Sequence, residues 1–278
     1  MMRWSWRLRY CASKSALAAL QIPPILFMMD AFKDFSILAW NVWGFANKRS
    51  RNHMHELVSR YKPDMLIILE THTTFSSAEN FWNRESYVKI DVQEVQAPLC
   101  VSVVVSKGND KWLCSGVYAS PVYTARPALW EYLEDLSKDN VLPWLVIGDF
   151  NDILLPREHK GGVFSMAKAD LFHRNVDKCD LVDLGSFGTK FTWQGNCRSG
   201  RVVHKRLDRG FCNVDWRLKF PEATVEHLVR RHSDHNPILL RCSIATGSAG
   251  DRFSQQIPSA PNLFYVDAGC FSGTATGW

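Results

Sequence analysis

Apolar and polar positions along this chain alternate between two kinds of stretch. Runs such as 37–40, 65–69, 144–147 and 237–242 are almost entirely apolar and bounded by turn residues, which reads as buried strand. Elsewhere the apolar residues recur at helical spacing. Residues 126–137 place Leu129, Trp130, Leu133 and Leu136 on one face, as an amphipathic helix does. Further helices are predicted over 48–61, 165–179 and, briefly, 214–220. Strands are predicted over 36–42, 64–69, 190–193, 205–211, 223–228 and 237–242, and 99–106 with 112–118 forms an antiparallel pair across Gly108-Asn109-Asp110. Helices interleaved with partly hairpin-paired strands predict an α/β sandwich, not an all-parallel doubly wound sheet.

Four of the apolar runs end or begin in polar side chains. ILAWN ends in Asn41, MLIILE in Glu70 and WLVIGDFN in Asp149 and Asn151, while SDHNPILL opens with Asp234 and His235. Strands leave the core at their ends, so one rim of a sheet could collect all of these groups. A pocket of carboxylates, carboxamides and a histidine suits a divalent metal and a phosphate ester better than an apolar ligand.

Asn41, Glu70, the Gly148-Asp149-Phe150-Asn151 stretch, Arg206-Leu207-Asp208 and Ser233-Asp234-His235 stand in an order that resembles the endonuclease/exonuclease/phosphatase (DNase I-like) superfamily. GVYASP around Tyr118, PWLVIGDFNDIL, KRLDRGFCN and RRHSDHNPILL are most similar to the endonuclease domain of plant non-LTR (LINE-type) retrotransposons. The resemblance runs from about residue 35 to about 242. It implies a four-layer α/β sandwich, two packed mixed β-sheets flanked by helices. It also implies that Asp149 activates water, that Asn151 bonds the phosphate and that Tyr118 touches it, although a core tyrosine is an equal reading of Tyr118. Glu70 is the first choice of Mg2+ ligand, with Mn2+ as a substitute. Asn41 would be a neutral ligand, an orienter of metal-bound water or a turn former, and Asp234 could also reach the metal. His235 would donate to a phosphate oxygen as imidazolium, held by Asp208.

The 278 residues carry a formal charge of +5, which permits a nucleic-acid substrate without demanding one. Local clustering says more. Arg198, Arg201, Lys205, Arg206 and Arg209 crowd one segment, with Trp193 nearby to stack a base; a solvated basic loop is the alternative. Eight cysteines show no paired spacing, so neither zinc site nor disulfide framework is indicated, and a reducing compartment, nucleus or cytoplasm, is expected. Residues 1–34 read as a leader, 35–243 as the catalytic domain and 244–278 as a linker plus the first strand of an RNase H-like domain, expected to fray. Relatives in the retrotransposon group carry a glycine-rich strand segment where this chain has only 86–98, so an exposed sheet edge is expected there.

These observations together predict a Mg2+-dependent phosphodiester hydrolase that nicks DNA in preference to RNA, with neither a membrane partner nor a small-molecule cofactor. The preference for DNA follows from the resemblance alone. The competing expectation is a degenerate, inactive retrotransposon remnant that retains nucleic-acid binding.

Overall fold

The structure, a computed structural model, describes residues 32, 34–44, 48–71, 88–90, 100–197, 200–242 and 262–265. In chain order the elements are β1 (Ser36–Asn41), α1 (Lys48–Tyr61), β2 (Met65–Leu69), β3 (Val88–Ile90), β4 (Cys100–Lys107), β5 (Asp110–Tyr118), α2 (Pro127–Asp139) and β6 (Trp144–Asp149). There follow β7 (His159–Lys160), α3 (Met166–Lys178), β8 (Val182–Asp183), β9 (Phe187–Gly188), β10 (Trp193–Asn196), β11 (Val202–Lys205) and β12 (Asp208–Cys212). The last are α4 (Val214–Lys219), β13 (Thr224–His227), β14 (Ile238–Arg241) and β15 (Asn262–Tyr265).

One mixed sheet runs β3-β15-β2-β1-β14-β13-β9 and another β4-β5-β6-β12-β8, with a small sheet β10-β11-β7 beside them. Side chains on a strand alternate faces, and this period sorts the core. Ile37, Ala39, Met65 and Ile67 meet Val103, Val105, Cys114, Leu145 and Ile147 between the two large sheets. The opposite faces of β1 and β2, carrying Leu38, Trp40, Leu66 and Ile68, pack on Met54, Leu57 and Val58 of α1. The outer face of the second sheet, with Val117, Trp144, Val146 and Phe211, receives Leu129 and Leu133 of α2 and Phe172 and Val176 of α3. Helix, sheet, sheet, helix is the four-layer sandwich, and each fully buried aliphatic side chain in it contributes about 1.5–3 kcal/mol.

The structure departs from the sequence pattern at three places. The strand predicted over 205–211 is broken: Lys205 ends β11 in the small sheet, and Asp208 begins β12 in a large one. The break arises because the Thr192 hydroxyl accepts both the Leu207 (2.9 Å) and Asp208 (3.0 Å) amides, replacing a neighbouring strand. The strand predicted over 190–193 starts instead at Trp193 and runs to Asn196. Finally, Asn262–Tyr265, expected to fray, pairs in parallel with β2 on one side and β3 on the other. It therefore stands between β2 and β3 in the sheet; of the 86–98 segment, where an exposed sheet edge was expected, only β3 is among the described residues.

Gly148 is fixed by close approach. Its φ is +147°, and a Cβ there would lie 2.0 Å from the Val117 carbonyl oxygen on the paired strand β5. Gly148→Ala must separate two central strands, so a loss of about 2–5 kcal/mol is expected from strain and overpacking combined. Urea denaturation measures it, and an unchanged midpoint would contradict the account.

Candidate active site

The same alternation that builds the core delivers polar side chains to one rim. Asn41 continues the Ile37-Ala39 face, Asp149 the Leu145-Ile147 face, Tyr118 the Trp112-Cys114 face and Asp208 the face of Gly210 and Cys212. All four lie at strand ends between the sheets, and Asn41, Asp149 and Asp208 are at most 2% exposed. Asp149 and Asp208 stand directly opposite one another across β6 and β12. Two carboxylates so placed repel, a pairing that costs stability unless a cation intervenes.

His235 supplies the cation. Its Nδ1–H donates to Asp208 Oδ2 at 2.9 Å, and Nε2 stands 3.6 Å from Asp149 Oδ2. Burial alone would hold the imidazole below its ordinary pKa, but the Asp208 and Asp149 carboxylates outweigh it and push the value up to about 10. Asp149 is pushed up to about 7, first by burial and then by the facing Asp208; His235, the Asn151 amide and Asn41 oppose the rise. Asn41 Nδ2 donates to Asp149 Oδ2 at 3.0 Å, and the Asn151 backbone N–H to Asp149 Oδ1 at 2.9 Å.

His235 binds its proton more tightly folded than unfolded. Its contribution to stability is therefore complete below the free-imidazole value of 6.5 and lost as pH rises through about 10. In metal-free protein the melting temperature should accordingly fall relative to that of His235→Gln between about pH 7 and 10. Parallel calorimetric curves would contradict this.

Three groups reach the site by departing from strand geometry. Glu70 would fall with Leu66 and Ile68 on the helix side of β2, but it adopts a left-handed φ of 53°. Its carboxylate thereby accepts the Tyr118 hydroxyl from the opposite sheet. Asn151 is also left-handed, φ 52°, and its Nδ2 donates to the Ala119 carbonyl at 2.8 Å and to Asp149 Oδ2 at 3.3 Å. Such conformations cost of order 1–3 kcal/mol and persist where surrounding structure enforces them. His235 is turned inward by the bend before β14. There the Ser233 hydroxyl accepts the His235 amide at 3.0 Å and donates to the Asn41 carbonyl at 2.8 Å.

Asp234, half-buried, accepts the Trp193 indole N–H on Oδ2 at 2.9 Å, while its other oxygen is buried without a hydrogen-bond partner. That orphaned oxygen is of the hard type a divalent cation takes, whereas the Asn41 carboxamide oxygen already accepts the Trp43 amide at 3.2 Å. Asp149, Asp208 and His235 also bring ligand-type atoms within 4.8 Å of one another. A protonated imidazole offers no lone pair, however, so this trio is better read as an ion triad.

Two sequence expectations are corrected. Arg206 and Arg209 do not face a nucleic acid: both are buried, Arg209 completely, in a network with Glu158 and Asp183. The reason is alternation again, since Arg209 points with Phe211 to the outer face while Asp208 points inward. Burial resists ionisation of Glu158, but the Arg209 and Arg206 guanidiniums prevail and hold its carboxyl below the usual range. Arg201 is exposed and Lys205 half-buried, its ammonium 5.3 Å from the Trp193 ring centre; Arg198 lies outside the described residues. Sequence reading missed Thr192, Glu158 and Asp183. Asp152, one residue beyond Asn151, is engaged by Arg126 at 2.6 Å.

The sequence profile of the Endonuclease/Exonuclease/phosphatase family matches residues 38–235. No curated protein matches the chain. Among solved structures, the endonuclease domain of TRAS1, a telomere-specific non-LTR retrotransposon, is 15% identical over 76% of this chain and 100% of its own, with a TM-score of 0.54. A mutant beta toxin from Staphylococcus aureus with bound magnesium ions is 15% identical over 75% of this chain and 99% of its own, with a TM-score of 0.52. D. rerio TDP2 complexed with single-strand DNA product is 14% identical over 75% of this chain and 98% of its own, with a TM-score of 0.51. At such identities the likeness is one of fold.

Proposed function

Because the chain belongs to the endonuclease/exonuclease/phosphatase family, we propose that it is a Mg2+-dependent phosphodiesterase that nicks DNA, of retrotransposon-endonuclease type. The observation that carries this reading is the imidazolium of His235 held between Asp208 and Asp149 on the rim that also bears Asn41, Glu70, Tyr118 and Asn151. The TRAS1 likeness supports a nuclease of retrotransposon origin, and the DNA-bound TDP2 supports a nucleic-acid substrate.

In this reading a phosphodiester enters with a non-bridging oxygen toward His235 Nε2, which donates while Asp208 fixes the ring. Asp149, its pKa raised to about 7, takes the proton of the attacking water near neutral pH. Asn151 turns one amide hydrogen from Asp149 to the phosphate, adding a donor without negative charge. Glu70, Asn41 and Asp234 would hold Mg2+, which when bound clamps a phosphate oxygen and stabilises the departing alkoxide. Tyr118 positions the Glu70 carboxylate. The same reading expects the protein in nucleus or cytoplasm.

Supercoiled plasmid with Mg2+ tests the proposal. Nicked circles should accumulate, vanish in excess chelator, and form at least about ten- to a hundredfold more slowly with Glu70→Gln. Equal rates in all three samples would sink it and favour the inactive-remnant alternative.

A further inference from the structure

Next to the Asp149-Asn151 turn the protein gathers positive charge that it does not neutralise. Arg126 is bound to Asp152 at 2.6 Å and to the Ser120 carbonyl at 2.7 Å, and its guanidinium lies 5.3 Å from the centre of the Tyr123 ring. Lys168, in the first turn of α3, holds its ammonium 4.6 Å from the same ring, although a cation at a helix N-terminus is disfavoured by the helix dipole. Lys205, half-buried, rests on Trp193. Among the described residues neither lysine has a carboxylate within ion-pair distance; each is seated on an aromatic face instead. Lys205 senses the other two cations: after burial, the charges of Arg126 and Lys168 hold its ammonium below the usual lysine range, opposed only by Asp152. Three cations against one carboxylate is an arrangement that repels itself until an anion arrives.

The cluster is tied to the active site on every side. Asp152 follows Asn151 in the chain, Ser120 is two residues from Tyr118, and Trp193 both pairs with His235 across a β-bridge and bonds Asp234. We propose that Lys168, Lys205 and Arg126, on the Tyr123 and Trp193 rings, form a subsite for a backbone phosphate of the nucleic acid flanking the scissile one. This rests on the nucleic-acid reading given above and names residues that hold the strand outside the reacting group. Lysines held by aromatic rings keep their N–H donors available, and a phosphate entering among them relieves the repulsion while releasing counterions.

The test is binding of the full chain to a duplex oligonucleotide in chelator, followed by fluorescence anisotropy over a range of salt. Lys168→Gln and Lys205→Gln should each weaken binding and make the slope of log affinity against log salt shallower by about one. Lys168→Arg should restore it, and Lys138→Gln, whose ammonium is already paired with Glu134 on α2, should match the wild type. If the wild type binds with a salt-dependent slope that both glutamine variants retain, or that Lys138→Gln lowers equally, the subsite is wrong and the nuclease reading stands. If the wild type shows no salt-dependent binding, both fall.

Discussion

His235→Ala is expected to reduce plasmid nicking by about a thousandfold, the scale on which loss of a preorganised donor to a developing oxyanion is felt. The argument is geometric: Nδ1 is fixed by Asp208 at 2.9 Å, so Nε2 has one direction in which to deliver its proton. Removing the ring also leaves Asp149 and Asp208 facing each other across a strand pair with no cation between them. Asp208→Asn separates the two effects, because it relieves the repulsion yet surrenders the charge that keeps the imidazole protonated. It should lose activity while remaining folded by circular dichroism. A His235→Ala variant that is folded by circular dichroism and nicks within tenfold of wild type would refute the assignment.

Arg209→Ala is expected to cost about 3–5 kcal/mol of stability, the penalty for leaving partners of a buried ion cluster uncompensated. Arg209 Nη2 donates to Glu158 at 2.8 Å and to the Arg206 carbonyl at 2.9 Å, and Nη1 meets Asp183 at 3.0 Å. The guanidinium also lies 5.4 Å from the centre of the Phe172 ring on α3. Truncation would leave the Glu158 and Asp183 carboxylates in the outer layer sharing the single Arg206 guanidinium, one buried negative charge in excess, and loosen the segment from Asp152 to Glu158 that follows the Asp149 turn. Urea denaturation with an unchanged m-value reads the loss directly. A shift below 1 kcal/mol would mean that the network is solvated and that Arg209 is not the buried residue described here.

How far the site could be read in advance depended on whether each residue obeys strand periodicity. Asn41, Asp149 and Asp208 do: counting by twos, back from Asn41 and Asp149 and forward from Asp208, meets residues of the inter-sheet face. The same count placed Arg209 on the opposite face beside Phe211, a signal present in RLDRGF that local charge density obscured. Glu70 and His235 do not obey it. Counting by twos puts Glu70 with the helix-facing residues and favours Asp234 over His235, and both are redirected by contacts from elsewhere. The left-handed turn joins Glu70 to Tyr118, and Ser233 ties the bend before β14 to the Asn41 carbonyl.

The sequence by itself determined most helix and strand positions and the chemical types available at one rim, because burial periodicity and turn chemistry are local properties of the chain; the four layers were legible only through the family resemblance. The tertiary structure alone decided which strands pair, where Lys205 and Asp208 part into separate sheets, which strand lies beside β2, and which charges are spent inside the protein. Those outcomes depend on hydrogen bonds and ion pairs between residues far apart in sequence, such as Thr192 with Asp208 and Glu158 with Arg209. Their energies exist only once the sheets have closed on each other.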